Sequence, residues 1–325
     1  MQVPAYVRGC IAPCFTVWKP DETFDEQGQR NLFDYMLQSG AVASYFVRSG
    51  MGQMFDYGYD DVKAVTKTAC DHLGGVAPVL MNCSGIWTGD YDSPERPDPE
   101  VYTRQAIELS LHAFENGADA VVQVVPEALA PRDGGAEVEG IFERFFERVC
   151  SSVNGPVFLY QPPIPHRVSP GLLARLADIP NLVGGKVSTW DGYYIFDLIR
   201  AVRGKDFMFV QGAEMLYYAA LYAGSRAVIG AGCNLYPQIL KRELECFEAG
   251  DHEGVLAAQE SVNLLFSKCP ATPLVMKRLA TEEGFPVNPT ARLRGQAVYK
   301  TASVLDEAAY REYKKLRERE LAKYA

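Results

Sequence analysis

At residues 183–189 the chain reads Val-Gly-Gly-Lys-Val-Ser-Thr, a short apolar run into a lysine that has no acidic neighbour in sequence. Such a run predicts a buried strand whose last side chain meets a cavity. A lysine in apolar surroundings has a lowered pKa and acts as a neutral amine, which forms a Schiff base with a ketone or aldehyde. The alternative interpretation is that Lys186 begins a loop and points to solvent, as most lysines do.

Strand-like and helix-like segments alternate on both sides of this stretch, from residue 8 to residue 231. The predicted strands span 8–15, 44–48, 76–82, 120–125, 156–160, 182–186, 207–211 and 226–231. The helices predicted between them span 26–39, 60–73, 100–116, 138–153, 169–177, 193–202 and 215–223. The strands are nearly continuous apolar runs, as parallel strands covered on both faces should be. Eight such units predict an α/β protein, a (β/α)8 TIM barrel.

A doubly wound open sheet is the alternative fold. It would carry a glycine-rich fingerprint after the first strand, where this chain has Ile11-Ala12-Pro13-Cys14 instead. No strand pattern returns after residue 235, and helices are predicted at 237–249, 252–267, 273–283 and 305–323. We therefore expect a barrel over residues 1–234 and a C-terminal helical extension over residues 235–325 that packs on the barrel.

The composition of the chain argues against several classes of partner and cofactor. The chain has 325 residues and a formal net charge of −9, which argues against nucleic acid or an anionic membrane as a partner. No apolar run approaches the roughly 18 residues of a membrane span, and the first 19 residues do not resemble a signal peptide. Eight cysteines without metal-site or redox-motif spacing predict reduced thiols and a cytoplasmic location. The four histidines are not spaced as ligands, so we expect no metal and no other cofactor.

The candidate site residues follow the predicted strands. In such barrels the chemistry lies on the loops at the C-terminal ends of the strands. Lys186 ends the sixth strand, Tyr160 ends the fifth, and Ser49-Gly50-Met51 follows the second. All of them are predicted to face the same mouth of the barrel. For Tyr160 the alternative is a core tyrosine at a strand end.

Two motifs carry a resemblance to a known family. Leu159-Tyr160-Gln161-Pro162-Pro163 is close to Tyr-Asn-x-Pro, and residues 185–191, Gly-Lys-Val-Ser-Thr-Trp-Asp, are close to Gly-x-Lys-Glu-x-Thr/Ser-x-Asp. Over about residues 8–290 the chain therefore resembles the dihydrodipicolinate synthase and N-acetylneuraminate lyase superfamily of class I, pyruvate-type aldolases. Supporting matches are Gly212, the stretch around Ile229, and Asn234.

The resemblance implies a role for each candidate residue. Lys186 would form an imine with a 2-oxo acid, and Tyr160 would relay protons beside it, a task that suits a phenol. The substrate-binding residues would be Ser49, Gly50, Met51, Gly212 and Ile229. The resemblance also implies a homo-oligomer, either a dimer or a tetramer.

Several positions depart from the pattern of the family. Met51 and Gln53 replace a hydroxyl residue and a glutamate in the loop that binds the substrate carboxylate, although an amide nest can still hold an anion there. Glu127-Ala128 stands where the synthase branch has a tyrosine pair, and Pro165 stands where it has an arginine. These departures argue against lysine-biosynthetic dihydrodipicolinate synthase itself.

The segment 83–99 is long for a βα connection and carries Trp87, Tyr91 and Arg96. Connections longer than roughly 12 residues are often binding loops or lids. We expect either a specificity loop over the mouth or a subunit contact.

The leading functional hypothesis is a Schiff-base lyase, an aldolase or dehydratase, acting on a 2-oxo acid such as pyruvate or a 2-oxo-3-deoxy sugar acid. One alternative is a hydratase-aldolase on an aromatic oxobutenoate, suggested by Trp87, Trp190, Tyr193 and Tyr194. The other is a barrel that binds an oxo acid without turnover, suggested by the altered carboxylate loop.

Overall fold

Eight parallel strands close into a barrel in which each strand pairs with its neighbours in chain order and β1 pairs with β8. The structure, a computed structural model, describes residues 1–292 and 304–324. The strands are β1 Gly9–Pro13, β2 Val42–Val47, β3 Val79–Asn82, β4 Ala120–Val124, β5 Val157–Gln161, β6 Leu182–Val187, β7 Met208–Gln211 and β8 Ala227–Val228. The predicted (β/α)8 TIM barrel is confirmed.

Helices follow the strands and cover the outside of the barrel. They are α1 Glu26–Leu37, α2 Tyr59–Leu73, α3 Pro99–Glu115, α4 Val138–Ser152, α5 Pro170–Leu176, α6 Gly192–Ala201, α7 Tyr217–Ala223 and α8 Gly232–Leu235. Their starts are encoded locally. At α3 and α5 the side chains of Asp98 and Ser169 accept hydrogen bonds from the backbone of the first turn, and a proline occupies the first helical position.

After the barrel, residues 235–292 and 304–324 contain four more helices: α9 Pro237–Ala249, α10 His252–Lys268, α11 Thr272–Glu282 and α12 Glu307–Leu321. α9 packs against β1, α10 packs against α7 and α9, and α12 packs against α10, while α11 contacts α1. The predicted C-terminal helical extension is thus present on the flank of the barrel. Among the helices of the described residues, none has the length and apolar character needed to cross a membrane.

Several strands are shorter than the sequence pattern predicts, and the third and the eighth show the reasons most clearly. The third begins at Val79 and not at residue 76, because Val76 is 66% exposed and lies in the preceding turn. The eighth was expected to span 226–231 but ends at Val228. At Gly230 an added Cβ would lie 2.0 Å from a carboxylate oxygen of Glu214, so this backbone passes directly over that side chain instead of continuing the strand.

The register between β5 and β6 brings the two motifs of the sequence together. Tyr160 pairs with Lys186, and the register shifts by one residue lower down, between Val157 and Phe158. Gly184 lies opposite Phe158, and a Cβ on this glycine would lie 2.6 Å from the phenylalanine ring. Gly184, two positions before the lysine, therefore makes room for the side chain of Phe158 inside the barrel.

Candidate active site

Lys186 lies near the C-terminal end of β6 and is 5% exposed. Its Nζ lies 4.5 Å from the centroid of the Tyr160 ring and 5.7 Å from that of Phe46. Burial lowers the pKa of Lys186 to about 8, an effect that the negative charge of Glu214 partly offsets. The neutral amine that a nucleophile requires is therefore a minor form near pH 7, but a far more abundant one than at the ordinary pKa of 10.5.

Tyr160 is buried in the interior of the barrel on β5, beside the lysine. Its ring packs edge-on against Phe46 of β2, with ring centroids 5.6 Å apart. This aromatic pair, together with Val210 and Ile229, forms the apolar floor beneath the lysine. The floor supplies the low-polarity surroundings that lower the pKa of the amine.

In the loop that follows β2, the Ser49 hydroxyl bonds to the backbone of the protein. This hydroxyl donates to the Cys14 carbonyl at 3.0 Å and accepts from the Gly52 amide at 3.1 Å. It therefore holds the loop together instead of replacing the missing threonine. Within the described part of the chain, the N–H groups of Gly50 and Met51 donate to no protein acceptor.

Gly212 and Ile229 follow β7 and β8 at the same end of the barrel. The Gly212 amide donates to the Val187 carbonyl at 3.0 Å, and a Cβ here would lie 2.5 Å from that oxygen. The glycine thus permits close approach of two strand ends. The Ile229 amide donates to the Gln211 carbonyl at 2.8 Å, and its side chain is buried in the barrel.

Glu214 is a site residue that the sequence reasoning missed. It follows β7 in a short 3₁₀ turn and is buried near Lys186. The Gly232 amide donates to its Oε1 at 2.9 Å, and burial raises the pKa of the carboxyl. An acidic residue two positions after the glycine of a strand end was the available signal, since parallel strand ends converge on the mouth.

Buried Glu127, which lies where the synthase branch has tyrosines, pairs with the partly exposed His166. The Oε1 of Glu127 lies 2.7 Å from the His166 Nδ1, and the Oε2 accepts the His166 backbone N–H at 3.3 Å. Burial raises the pKa of Glu127, and His166 opposes that rise. Both carboxylate oxygens are engaged by a residue from the connection after β5.

Residues 83–98 connect β3 to α3 and are called the roof loop below. The Trp87 ring packs edge-on against Phe55, which lies just beyond the loop after β2. At the other end, Arg132 donates to the carbonyl of Asp92 at 2.6 Å. The roof loop therefore reaches across the mouth, from the connection after β2 to the connection after β4.

The predicted site residues thus converge on one end of the barrel, and their arrangement permits carbonyl chemistry. A buried amine lies against a phenol, a carboxyl group lies nearby, and a loop with free N–H groups follows β2. The amine can attack a carbonyl carbon while the phenol delivers the proton that lets the oxygen leave as water.

Known proteins share the sequence pattern. A profile of the dihydrodipicolinate synthetase family matches residues 6–300. The 4-hydroxy-tetrahydrodipicolinate synthase of Dechloromonas aromatica is 29% identical over 282 residues, which cover 83% of this chain and 86% of that protein.

Solved structures share the architecture over nearly the whole chain. The structure of YagE, an Escherichia coli K12 prophage protein of the dihydrodipicolinic acid synthase family in complex with pyruvate, aligns with a TM-score of 0.76 and 26% identity. The alignment covers 98% of this chain and 99% of YagE. A Ruminococcus gnavus sialic acid aldolase, a catalytic lysine mutant, aligns over the full length of both chains with a TM-score of 0.83. At 18% identity this second likeness concerns the fold.

Proposed function

Because the chain belongs to the dihydrodipicolinate synthetase family, we propose that it is a Schiff-base-forming lyase that acts on a 2-oxo acid. The substrate class is pyruvate or a 2-oxo-3-deoxy sugar acid, and the reaction is aldol cleavage, aldol formation or dehydration. The observation that carries the proposal is the buried amine of Lys186, 4.5 Å from the Tyr160 ring and with a pKa of about 8. The pyruvate bound to the related YagE supports the substrate class.

In the proposed mechanism the neutral Nζ of Lys186 attacks the C2 carbonyl carbon, and the oxygen becomes a hydroxyl. Tyr160 donates a proton to that hydroxyl, water leaves, and the imine forms. In aldol cleavage the imine then accepts the electron pair of the breaking C–C bond. In dehydration it accepts the electron pair of the C3–H bond, and the enamine that forms expels the substrate hydroxyl, which takes up a proton and leaves as water. Tyr160 receives a proton from the substrate hydroxyl in cleavage, which restores its starting state.

The free amides of Gly50 and Met51 are the proposed donors to the substrate carboxylate, since a backbone nest binds an anion without a particular side chain. Gly212 and Ile229 shape the opposite wall of this proposed pocket. A homo-oligomeric assembly and a cytoplasmic location stay predictions.

Trapping with borohydride tests the proposal. The protein is incubated with pyruvate, reduced, digested and analysed by mass spectrometry. We expect the mass of the reduced adduct on the peptide that contains Lys186. Full turnover of a sugar-acid substrate without any adduct would point to a different mechanism. Treatment with a chelator is expected to leave adduct formation unchanged, because the imine itself is the electron sink.

A further inference from the structure

The roof loop contains polar groups that the proposed imine chemistry does not use. Tyr91 Oη and the Nε and Nη1 atoms of Arg96 are buried and have no hydrogen-bond partner in residues 1–292 and 304–324. The Nη2 of Arg96 donates to the Tyr91 carbonyl at 3.4 Å, and this hydrogen bond holds the two residues together. The guanidinium lies 5.1 Å from the centroid of the Trp87 ring, which fixes its position from one side.

Buried donors without an acceptor are unusual, and charged ones are especially costly. An unpaired buried polar group costs about 1–3 kcal/mol, and native proteins satisfy the large majority of such groups. A nearby carboxylate does not supply the missing hydrogen bonds. The charges of Glu127 and Arg96 interact, and Glu127 also raises the pKa of Tyr91, but both carboxylate oxygens of Glu127 bond to His166.

One of these donors borders a cleft beside the proposed site, and the other bonds to its carbonyl. Tyr91 lines a cleft of about 620 Å³ whose other walls are Gln161, at the end of β5, and the connections after β5 and β6, including Ser188 and Thr189. Gln161 directly follows Tyr160 in sequence, and Ser188 lies two positions after Lys186. A 2-oxo acid held at the lysine would extend its far end into this cleft and toward the roof loop.

We propose that Arg96 and Tyr91 form a subsite for an anionic group, a carboxylate or a phosphate, at the far end of the 2-oxo acid. This inference rests on the proposed function, which places the 2-oxo end of the substrate at Lys186. Arg96 supplies the positive charge and Tyr91 supplies a neutral donor. Trp87 holds the guanidinium in place, and the substrate acceptor completes its hydrogen bonding.

Calorimetric titration with two matched pairs of acids tests the subsite. One pair is 2-oxoglutarate and 2-oxopentanoate, and the other is 2-oxo-3-deoxy-6-phosphogluconate and 2-oxo-3-deoxygluconate. A charged hydrogen bond is worth about 1.5–3 kcal/mol, so the acid with the distal anionic group should bind roughly 10- to 100-fold more tightly than the partner that lacks it. The pair that shows this preference identifies the group as carboxylate or phosphate.

Substitutions of Arg96 and Tyr91 test whether the roof loop causes this preference in affinity. In Arg96→Gln the ratio of affinities should fall to about one, and in Tyr91→Phe it should fall by a smaller factor. The control is Arg104→Gln, since Arg104 is an exposed arginine of α3, and it should keep the wild-type ratio. The proposal is overturned if neither pair shows a preference in the wild-type protein, or if Arg96→Gln retains it.

Titration of Lys186→Ala separates this proposal from the imine mechanism. A preference that persists in Lys186→Ala, with no pyruvate adduct in the wild-type protein, would support the subsite and refute the imine. A pyruvate adduct on Lys186 without a preference in either pair would support the imine and refute the subsite.

Discussion

Lys186 and Lys277 are both buried lysines with lowered pKa values, yet they lie in very different places. Lys186 is 5% exposed and Lys277 is 2% exposed, and burial lowers their pKa values to about 8 and about 7. Lys277 lies within α11 on the flank of the barrel, where its Nζ donates to the Thr290 carbonyl at 2.7 Å. Within the described residues, the Nζ of Lys186 donates no such bond, and it lies beside Tyr160 at the mouth.

The difference shows that a lowered pKa alone does not identify a nucleophile. Burial lowers the pKa of any lysine, and here it does so for the lysine of the helix as well as for the lysine of the barrel. What distinguishes Lys186 is a neighbouring phenol and a position near the C-terminal end of a barrel strand, where the mouth of a parallel barrel lies. Geometry therefore selects between two amines that are similar in their chemistry.

The first prediction removes each amine in turn and has the largest expected effect. Lys186→Ala should abolish adduct formation with pyruvate and turnover, because it removes the buried amine that lies 4.5 Å from the centroid of the Tyr160 ring. Lys277→Ala should retain the adduct at the wild-type position. Peptide mapping after borohydride reduction measures both. An adduct on Lys277 in the wild-type protein would remove the distinction between the two lysines.

The second prediction concerns Tyr160, the phenol beside Lys186. Tyr160→Phe removes one oxygen and little volume, so the fold should persist. Loss of a general acid or base costs about 10²–10⁴-fold in rate, and both turnover and the rate of adduct formation should fall accordingly. Steady-state kinetics of the variant measure this loss. The matched control is Tyr45→Phe, because it also removes a phenol oxygen but lies outside the barrel interior. Near-native turnover would make Tyr160 a packing residue.

The third prediction concerns the pH dependence of stability. A lysine whose pKa falls on folding binds fewer protons in the folded state than in the unfolded state, so the free energy of unfolding rises with pH between the two pKa values. For Lys277 this window runs from about 7 to the ordinary value of 10.5. In Lys277→Met the rise between pH 7 and pH 8 should be reduced by up to about 1.4 kcal/mol per pH unit.

Urea unfolding of the wild-type protein and of Lys277→Met at a series of pH values measures the difference between their slopes of unfolding free energy against pH. Lys241→Met, in which an exposed lysine of α9 is replaced, is the control and should not change the slope. An unchanged slope in Lys277→Met would mean that this lysine stays protonated in the folded state.

The fourth prediction has the smallest expected effect and concerns the environment of Lys186. The negative charge of Glu214 raises the pKa of Lys186 against the effect of burial. Glu214→Gln removes that charge, so the pKa of Lys186 should fall further, and the midpoint of the rise in adduct formation with pH should move below about 8. Rapid trapping at a series of pH values measures the midpoint. Glu260→Gln, on the exposed face of α10, should leave it unchanged.

Much of the fold could be predicted from the sequence because its signals are local. The apolar runs mark parallel strands, and Asp98 and Ser169 mark helix starts through hydrogen bonds to nearby N–H groups. The strand ends also placed Lys186 and Tyr160 on one face, because every strand of such a barrel ends at the same mouth. The strand bounds were less accurate where a turn or a distant side chain intervenes, as at the third and eighth strands.

The tertiary structure alone decided how distant segments meet. Glu214 turns the backbone at Gly230, sixteen positions later, and no local pattern contains that contact. The Ser49 hydroxyl bonds to Cys14 across two strands, so it is not available to a substrate. By itself, the sequence determined the barrel, the lysine and its tyrosine, since these follow from the periodicity of strands and the order of strand ends. Which polar groups were satisfied and which were left for a ligand depended on contacts between loops, and such contacts form only when the barrel closes.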